Sequence, residues 1–209
     1  DATEGFFSTA ALSRLPAGAL LCNASRGEVL DAAAALTALR SGPIGALLLD
    51  VFPGEPRPAP DLVSAAAIAT PHIAGHSLEG KVNGALMVYR AACAFFGVPA
   101  TFQPGPDLLP PHSLDGLTLS LPPGRSAPEA ARALFQQAVA ASYDLRTDDH
   151  ALRQITKLPE SAQAAAFRAY RDAYPVRRQL HGACLTLPPS TDPAADRLRA
   201  ALTVLGASV

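Results

Sequence analysis

From Gly45 to Val51 the chain reads Gly-Ala-Leu-Leu-Leu-Asp-Val, apolar apart from Asp50 and without the alternation of a strand that has one face in water. Such a strand is buried on both faces, which is the situation of a parallel sheet sandwiched between helices. Its neighbours fit that sheet. Ala19–Cys22 and Ala66–Ala69 are shorter apolar segments of the same kind. Ser8–Leu15 reads as a short helix ended by Pro16-Ala17-Gly18. Asp31–Arg40 reads as an amphipathic helix, with Asp31 as its cap and Gly42-Pro43 as its stop. Residues 53–60 carry four prolines and read as a rigid loop. Strand, helix, strand, loop, strand is the rhythm of half of a doubly wound α/β domain.

From Leu78 the pattern changes. A helix runs to Phe96, with Val82, Ala85, Leu86, Tyr89 and Ala92-Cys93 at three- and four-residue intervals. Residues 98–113 are proline-rich and extended, the composition of a linker. Beyond it, Leu117–Leu121 and Leu180–Leu187 read as strands, and Ala127–Tyr143, Glu160–Tyr174 and Asp192–Leu205 as helices. These make an α+β unit of ordinary domain size. The expected organisation is thus 1–77 as a partial Rossmann-type α/β domain, 78–111 as a crossover helix and linker, and 112–209 as a separate α+β domain.

Composition excludes several classes of function. A net charge of −1 over 209 residues gives no electrostatic footing for nucleic acid or an anionic membrane. No uninterrupted apolar stretch is long enough to cross a bilayer. Cys22, Cys93 and Cys184 are far apart and lack metal-ligand spacing, so they read as buried free thiols of a cytoplasmic protein.

Three short segments, each just past an expected strand, carry chemistry. In Asn23-Ala24-Ser25-Arg26-Gly27, the arginine can grip a carboxylate through two parallel hydrogen bonds, and Gly27 gives the backbone freedom to approach a ligand. In Asp50-Val51-Phe52-Pro53-Gly54-Glu55-Pro56, the prolines hold Glu55 in place, and Asp50 faces either water or a ligand in the crevice. In Thr70-Pro71-His72-Ile73-Ala74-Gly75-His76, a histidine can exchange a proton near neutral pH, and Gly75 leaves room for a cofactor. Taken singly, each has a plainer reading: a surface arginine in a turn, a solvated loop carboxylate, a structural histidine. Together they lie where a parallel sheet presents its carboxyl ends to a ligand.

Their order and spacing, 29 residues from Arg26 to Glu55 and 17 from Glu55 to His72, resemble the D-2-hydroxyacid dehydrogenase family. Its signature runs Asn-x-Ser-Arg-Gly, Asp-Val-Phe-x-x-Glu-Pro and Thr-Pro-His-Ile-x-Gly. The resemblance implies an NAD-dependent oxidoreductase with Arg26, Glu55 and His72 as the catalytic set: the arginine on the substrate, the histidine as acid/base, the glutamate supporting it. Ala24, Ser25, Arg26, Asp50 and Gly75 would line the cofactor. The short gap between Glu55 and His72, together with the extra C-terminal unit, resembles the branch of the family that oxidises 4-phospho-D-erythronate in pyridoxal 5′-phosphate biosynthesis. That branch implies a homodimer formed through residues 112–209. His76, which replaces an expected tyrosine, would contact substrate, and Arg177 or Arg178 its phosphate; a solvated charged turn is the other reading of the two arginines. Two further readings stay open: a dehydrogenase of another D-2-hydroxy acid, and a non-catalytic dimerisation fragment.

The family's Gly-x-Gly-x-x-Gly loop is not present in these 209 residues, so the chain reads as the C-terminal part of such an enzyme. A dinucleotide's pyrophosphate is anchored mainly by backbone N–H groups at the helix N-terminus after that loop. The isolated chain should therefore show no saturable NAD binding by calorimetry in the micromolar range. A dissociation constant below about 10 μM, roughly −7 kcal/mol, would overturn this expectation.

Overall fold

The computed structural model describes residues 3–112, 114–120, 126–179, 183–186 and 193–204. In chain order the elements are α1 (Thr9–Leu12), β1 (Ala19–Asn23), a 3-10 turn (Gly27–Val29), α2 (Ala32–Ser41), β2 (Ile44–Leu49), α3 (Pro60–Ala65), β3 (Ile68–Ala69) and α4 (Leu78–Phe95). There follow β4 (Leu117–Thr118), α5 (Ala127–Ser142), α6 (Leu145–Ile155), α7 (Glu160–Asp172), β5 (Leu185–Thr186) and α8 (Pro193–Val204). They form two compact units, residues 1–74 with 145–174, and residues 75–144 with 175–209.

The first unit is built on a parallel sheet ordered β1-β2-β3. The central strand β2 is the apolar run read from the sequence, and Leu47 and Leu49 are at most 1% exposed. Asn23 pairs with Leu49, and Leu49 with Ala69, so the three strands end in line at their carboxyl edge. Helix α2 starts as expected, with Asp31 Oδ1 accepting from the Ala34 N–H at 3.0 Å. Where the sequence suggested only a proline-rich loop, Pro60 occupies the first turn of α3, a position where its missing N–H costs no helical hydrogen bond.

Helices α6 and α7 join this unit rather than the downstream one. The sequence reading gave no helix at 145–155 and assigned 160–174 to a domain beginning at residue 112. Leu152, Ile155 and Phe167 instead enter the core formed by Leu47, Leu49, Leu62 and Ala69. An amphipathic face shows in sequence that it must be covered, but not by what. Phe167 is 1% exposed, and burying a side chain of that size contributes about 1.5–3 kcal/mol.

Polar contacts fix the docking. Asp149 Oδ1 accepts the N–H of Ala69 on β3 at 2.8 Å. Arg153 binds Asp149 through two nitrogens, each at 2.9 Å. The same guanidinium donates to the Val63 carbonyl at 3.0 Å and the Ala66 carbonyl at 2.8 Å, at the end of α3. One ion pair thereby satisfies a strand-edge donor and two orphan carbonyls. Asp148 is buried and accepts from the hydroxyls of Tyr170 and Tyr174. Burial, then the hydrogen bond to Asp148, push the Tyr170 hydroxyl well above its ordinary pKa.

In the second unit, α4 is capped by Ser77, whose hydroxyl accepts from the Gly80 N–H at 3.1 Å. The short parallel pair β4-β5 packs with α5 and α8 around Leu119, Leu134, Ala138, Leu185 and Leu202. Of the strands expected here, Leu121, 180–182 and Leu187 lie outside the described residues, as do Asp192 and Leu205 at the ends of the last expected helix. The thiols depart from expectation: Cys93 is buried, but Cys22 and Cys184 are exposed. Among the described residues no helix is long and apolar enough to cross a membrane.

The Asp149 network makes a measurable contribution. Burial works to raise the Asp149 pKa, but the hydrogen bonds from Arg153 and Ala69 and the Arg153 charge hold it below 3.8, its usual value. Stability from the ionised group is therefore complete above about that value and is lost as pH falls through the lower folded one. Asp149→Asn should cost about 1–3 kcal/mol at pH 7. Thermal unfolding should show its deficit narrowing below pH 4, whereas a deficit that does not change down to pH 2 would contradict this account.

Candidate active site

The aligned strand ends set the site. Arg26 lies three residues past Asn23, Glu55 six past Leu49 and His72 three past Ala69, each in the loop that follows its strand. All three loops therefore leave the same edge of one parallel sheet, where such sheets bind ligands.

The first loop is shaped by Asn23, which is 3% exposed. Its Oδ1 accepts from the Ser25 N–H at 3.1 Å and the Ser25 hydroxyl at 2.8 Å. Its Nδ2 donates to the Arg26 carbonyl at 2.9 Å. This side-chain-closed turn holds Ala24, Ser25 and Arg26 outward, all exposed. The Arg26 guanidinium folds back onto the Ser25 carbonyl at 2.7 Å. Gly27 matters for a reason different from the one its sequence context suggests. Its φ is not positive, but a Cβ there would lie 2.1 Å from the Phe52 carbonyl carbon. The glycine allows the first loop to touch the second, rather than a ligand.

In the second loop Glu55 is held at both oxygens. Oε1 accepts from the Phe52 N–H at 2.8 Å, and Oε2 lies 2.7 Å from His72 Nδ1. The Glu55–Pro56 peptide is cis. The carboxylate orients the imidazole by accepting a hydrogen bond from Nδ1–H, which leaves Nε2 as the nitrogen able to exchange a proton with another molecule.

His72 has φ +56°, the left-handed region that non-glycine residues rarely adopt. Its N–H donates to the Asp50 carbonyl at 2.8 Å and the Thr70 carbonyl at 3.0 Å. Its own carbonyl accepts from Arg171 Nε on α7 at 3.1 Å. Asp50 neither edges into water nor presents an open carboxylate, the two sequence expectations. It is 7% exposed. Its Oδ1 accepts from the Thr70 hydroxyl at 2.7 Å and the Ile73 N–H at 2.8 Å, and its Oδ2 from the Ala74 N–H at 3.0 Å. The carboxylate is the inner frame of the histidine loop.

Residues 1–74 match the model of the D-isomer specific 2-hydroxyacid dehydrogenase NAD-binding domain. In these residues the chain is similar to the NAD-binding domain of D-2-hydroxyacid dehydrogenases. Residues 108–202 match a domain of unknown function, DUF3410. An erythronate-4-phosphate dehydrogenase of Salinibacter ruber is 41% identical over 195 residues, 93% of this chain and 48% of that protein. One from Azotobacter vinelandii is 41% identical over 208 residues, 98% of this chain and 51% of that protein. The chain thus spans about half the length of the curated relatives it matches. A solved D-isomer specific 2-hydroxyacid dehydrogenase from Xanthobacter autotrophicus Py2, in complex with NADPH and MES, is 34% identical. The match covers 51% of this chain and 44% of that one, at a TM-score of 0.39.

The remaining dehydrogenase-family candidates, Gly75, His76, Arg177 and Arg178, belong to the second unit. Apart from its own chain neighbours, nothing lies within 4 Å of where a side chain would begin at Gly75. The Arg177 guanidinium sits over the Tyr143 ring, 4.4 Å from its centroid. Arg178 is not in a solvated charged turn: it pairs with Glu79 and donates to the Pro110 carbonyl, and the two paired side chains are 14% and 4% exposed. Burial would raise the Glu79 pKa, but the Arg178 hydrogen bond, the Gln179 N–H and the Arg178 charge bring it below the usual carboxylate value. Sequence reasoning assigned no role to Asn23 or Thr70, although both lie inside the motifs and Asn-x-Ser is a turn signal in its own right. Arg171, 99 residues from His72, gave no signal at all.

The contact between the first two loops can be tested directly. Gly27→Ala should lower the stability of the 209-residue chain by about 1–3 kcal/mol, since backbone rather than a movable side chain meets the new methyl. A denaturant midpoint equal to that of the parent would show that the two loops are not in contact.

Proposed function

We propose that the full-length protein is an NAD-dependent dehydrogenase that oxidises the 2-hydroxyl of 4-phospho-D-erythronate to the 2-oxo acid, a step of pyridoxal 5′-phosphate biosynthesis. The observation that carries this reading is the His72–Glu55 pair, 2.7 Å apart at the carboxyl edge of the sheet. In the reaction His72 Nε2 takes the proton of the substrate hydroxyl. Glu55 holds Nδ1 and stabilises the imidazolium that results. Arg26 unfolds from the Ser25 carbonyl to grip the carboxylate through two N–H groups. NAD, with its nicotinamide end beside Ala24 and Ser25, would supply the acceptor for the hydride that leaves C2.

The residues of the first unit fit the nicotinamide end of that cofactor. Ala24 and Ser25 are exposed at the strand edge, and Asp50 fixes the adjacent loop without an unsatisfied charge. The identity with erythronate-4-phosphate dehydrogenases across both matched regions favours the phosphorylated substrate over other D-2-hydroxy acids. In this reading the protein is a cytoplasmic homodimer assembled through the C-terminal segment. Arg177 is the candidate for the substrate phosphate, and His76 for a further substrate contact.

Two measurements on the full-length enzyme test the reading. His72→Ala should lower kcat by about 10²–10⁴-fold with a smaller change in KM. The parent should turn over 4-phospho-D-erythronate far better than the unphosphorylated acid. More than half the parental kcat retained by His72→Ala between pH 6 and 9 would refute the proton-transfer role. Equal turnover of the two acids would refute the substrate.

A further inference from the structure

We infer that Arg171 is a positioning residue for His72, so that α7, encoded far downstream of the strand–loop motifs, is part of the machinery of the candidate active site. The inference rests on the proton-transfer role proposed for His72.

The peptide between His72 and Ile73 is held at both polar ends. Its carbonyl accepts from Arg171 Nε at 3.1 Å, and its N–H donates to Asp50 Oδ1 at 2.8 Å. This peptide directly follows the residue in the left-handed conformation, φ +56°. A histidine relaxing to an ordinary conformation would swing the peptide plane or redirect the ring away from Glu55. Swinging the plane breaks one of the two end contacts, and redirecting the ring breaks the contact with Glu55. Asp50 comes from the sheet itself, whereas Arg171 comes from a helix docked on it. That helix is firmly seated: Phe167, one turn before Arg171, is 1% exposed. The Arg171 guanidinium carbon lies 6.0 Å from the Phe167 ring centroid, so aromatic packing also steadies the donor. The donor that matters is Nε, the nitrogen nearest the chain. An arginine kept only for its charge would present its terminal nitrogens.

Two substitutions separate the hydrogen bond from charge and packing. Arg171→Gln places an amide nitrogen at the same number of bonds from Cα as Nε and removes the charge. Arg171→Met has a similar unbranched length and no donor. In the full-length enzyme, Arg171→Met should lower kcat by about 10- to 10²-fold, the usual effect of a misplaced catalytic group, and shift the acid limb of the kcat–pH profile. KM should change by less than about threefold, because ground-state binding is untouched. Arg171→Gln should recover most of the rate and the parental profile. Independently of activity, ¹⁵N-histidine spectra of the 209-residue chain should show one ring tautomer for His72 in the parent and in Arg171→Gln, and a mixture in Arg171→Met.

Parental kcat, pH profile and His72 ring signals in Arg171→Met would overturn the inference. So would a Gln variant as impaired as the Met variant, since the donor would then be irrelevant. A His72→Asn control separates the two levels of argument. If it is inactive while Arg171→Met behaves as the parent, only the positioning role fails. If it is active, the proton-transfer reading fails and takes the positioning role with it.

Discussion

The buried carboxylate of Asp50 is the constraint on which the candidate site depends. It stands directly after the central strand, where it is only 7% exposed, and an uncompensated charge there would be costly. Three donors from the 70–74 loop compensate it: the Thr70 hydroxyl and the N–H groups of Ile73 and Ala74. Hydrogen bonds to a charged group contribute about 1.5–3 kcal/mol each. The left-handed conformation of His72 opposes them by only about 1–2 kcal/mol. The carboxylate therefore dictates the path of the loop, and the path dictates where the imidazole points. Local strain is retained at His72 because the surrounding structure over-determines it.

The same logic explains why three distant motifs meet at one candidate site. A parallel sheet places every strand-to-loop junction on one edge, so residues separated widely in sequence arrive within one loop cluster. Alignment of Asn23, Leu49 and Ala69 across the sheet then makes their offsets meaningful. The contacts between loops do the finer adjustment. Gly27 lets the arginine loop lie against the Phe52–Pro53 backbone, and the Phe52 N–H in turn holds Glu55. Arg26, Glu55 and His72 are linked through backbone positions that a methyl group or a lost acceptor would disturb.

Much of this was legible from the sequence. The apolar run ending at Asp50 announced a strand buried on both faces, the Asp31 cap and Gly42-Pro43 stop bracketed α2, and the three motifs named the arginine, glutamate and histidine. What stayed hidden is what depends on a partner far along the chain. Periodicity shows that Phe167 faces something apolar but not that it faces the first sheet, so α7 was assigned to the wrong neighbours. Helix α6 escaped because its stretch around Asp148 and Asp149 is strongly polar. Its acids are buried or engaged by Tyr170, Tyr174 and Arg153, partners that no local window contains. The role of Gly27 was misread because close backbone approach and left-handed geometry both call for glycine, and the sequence does not distinguish them. For Asp50 the residue type and place were right, but the ligands it serves are the protein's own.

The two neighbouring arginines, alike in sequence, separate on energetic grounds. Arg178 is bound to the nearly inaccessible Glu79 and to the Pro110 carbonyl. Withdrawing it would leave a buried carboxylate without its counter-charge, at a cost of about 3–5 kcal/mol. A hydrogen bond to a phosphate returns about 1.5–3 kcal/mol, so recruitment of Arg178 to a substrate is unfavourable on balance. Its physical role is to tie the start of α4 to the 175–179 segment, where Gln179 N–H also meets Glu79 Oε2 at 3.0 Å. Arg177, by contrast, rests on the face of Tyr143. Arg178 holds in place the segment that carries Arg177.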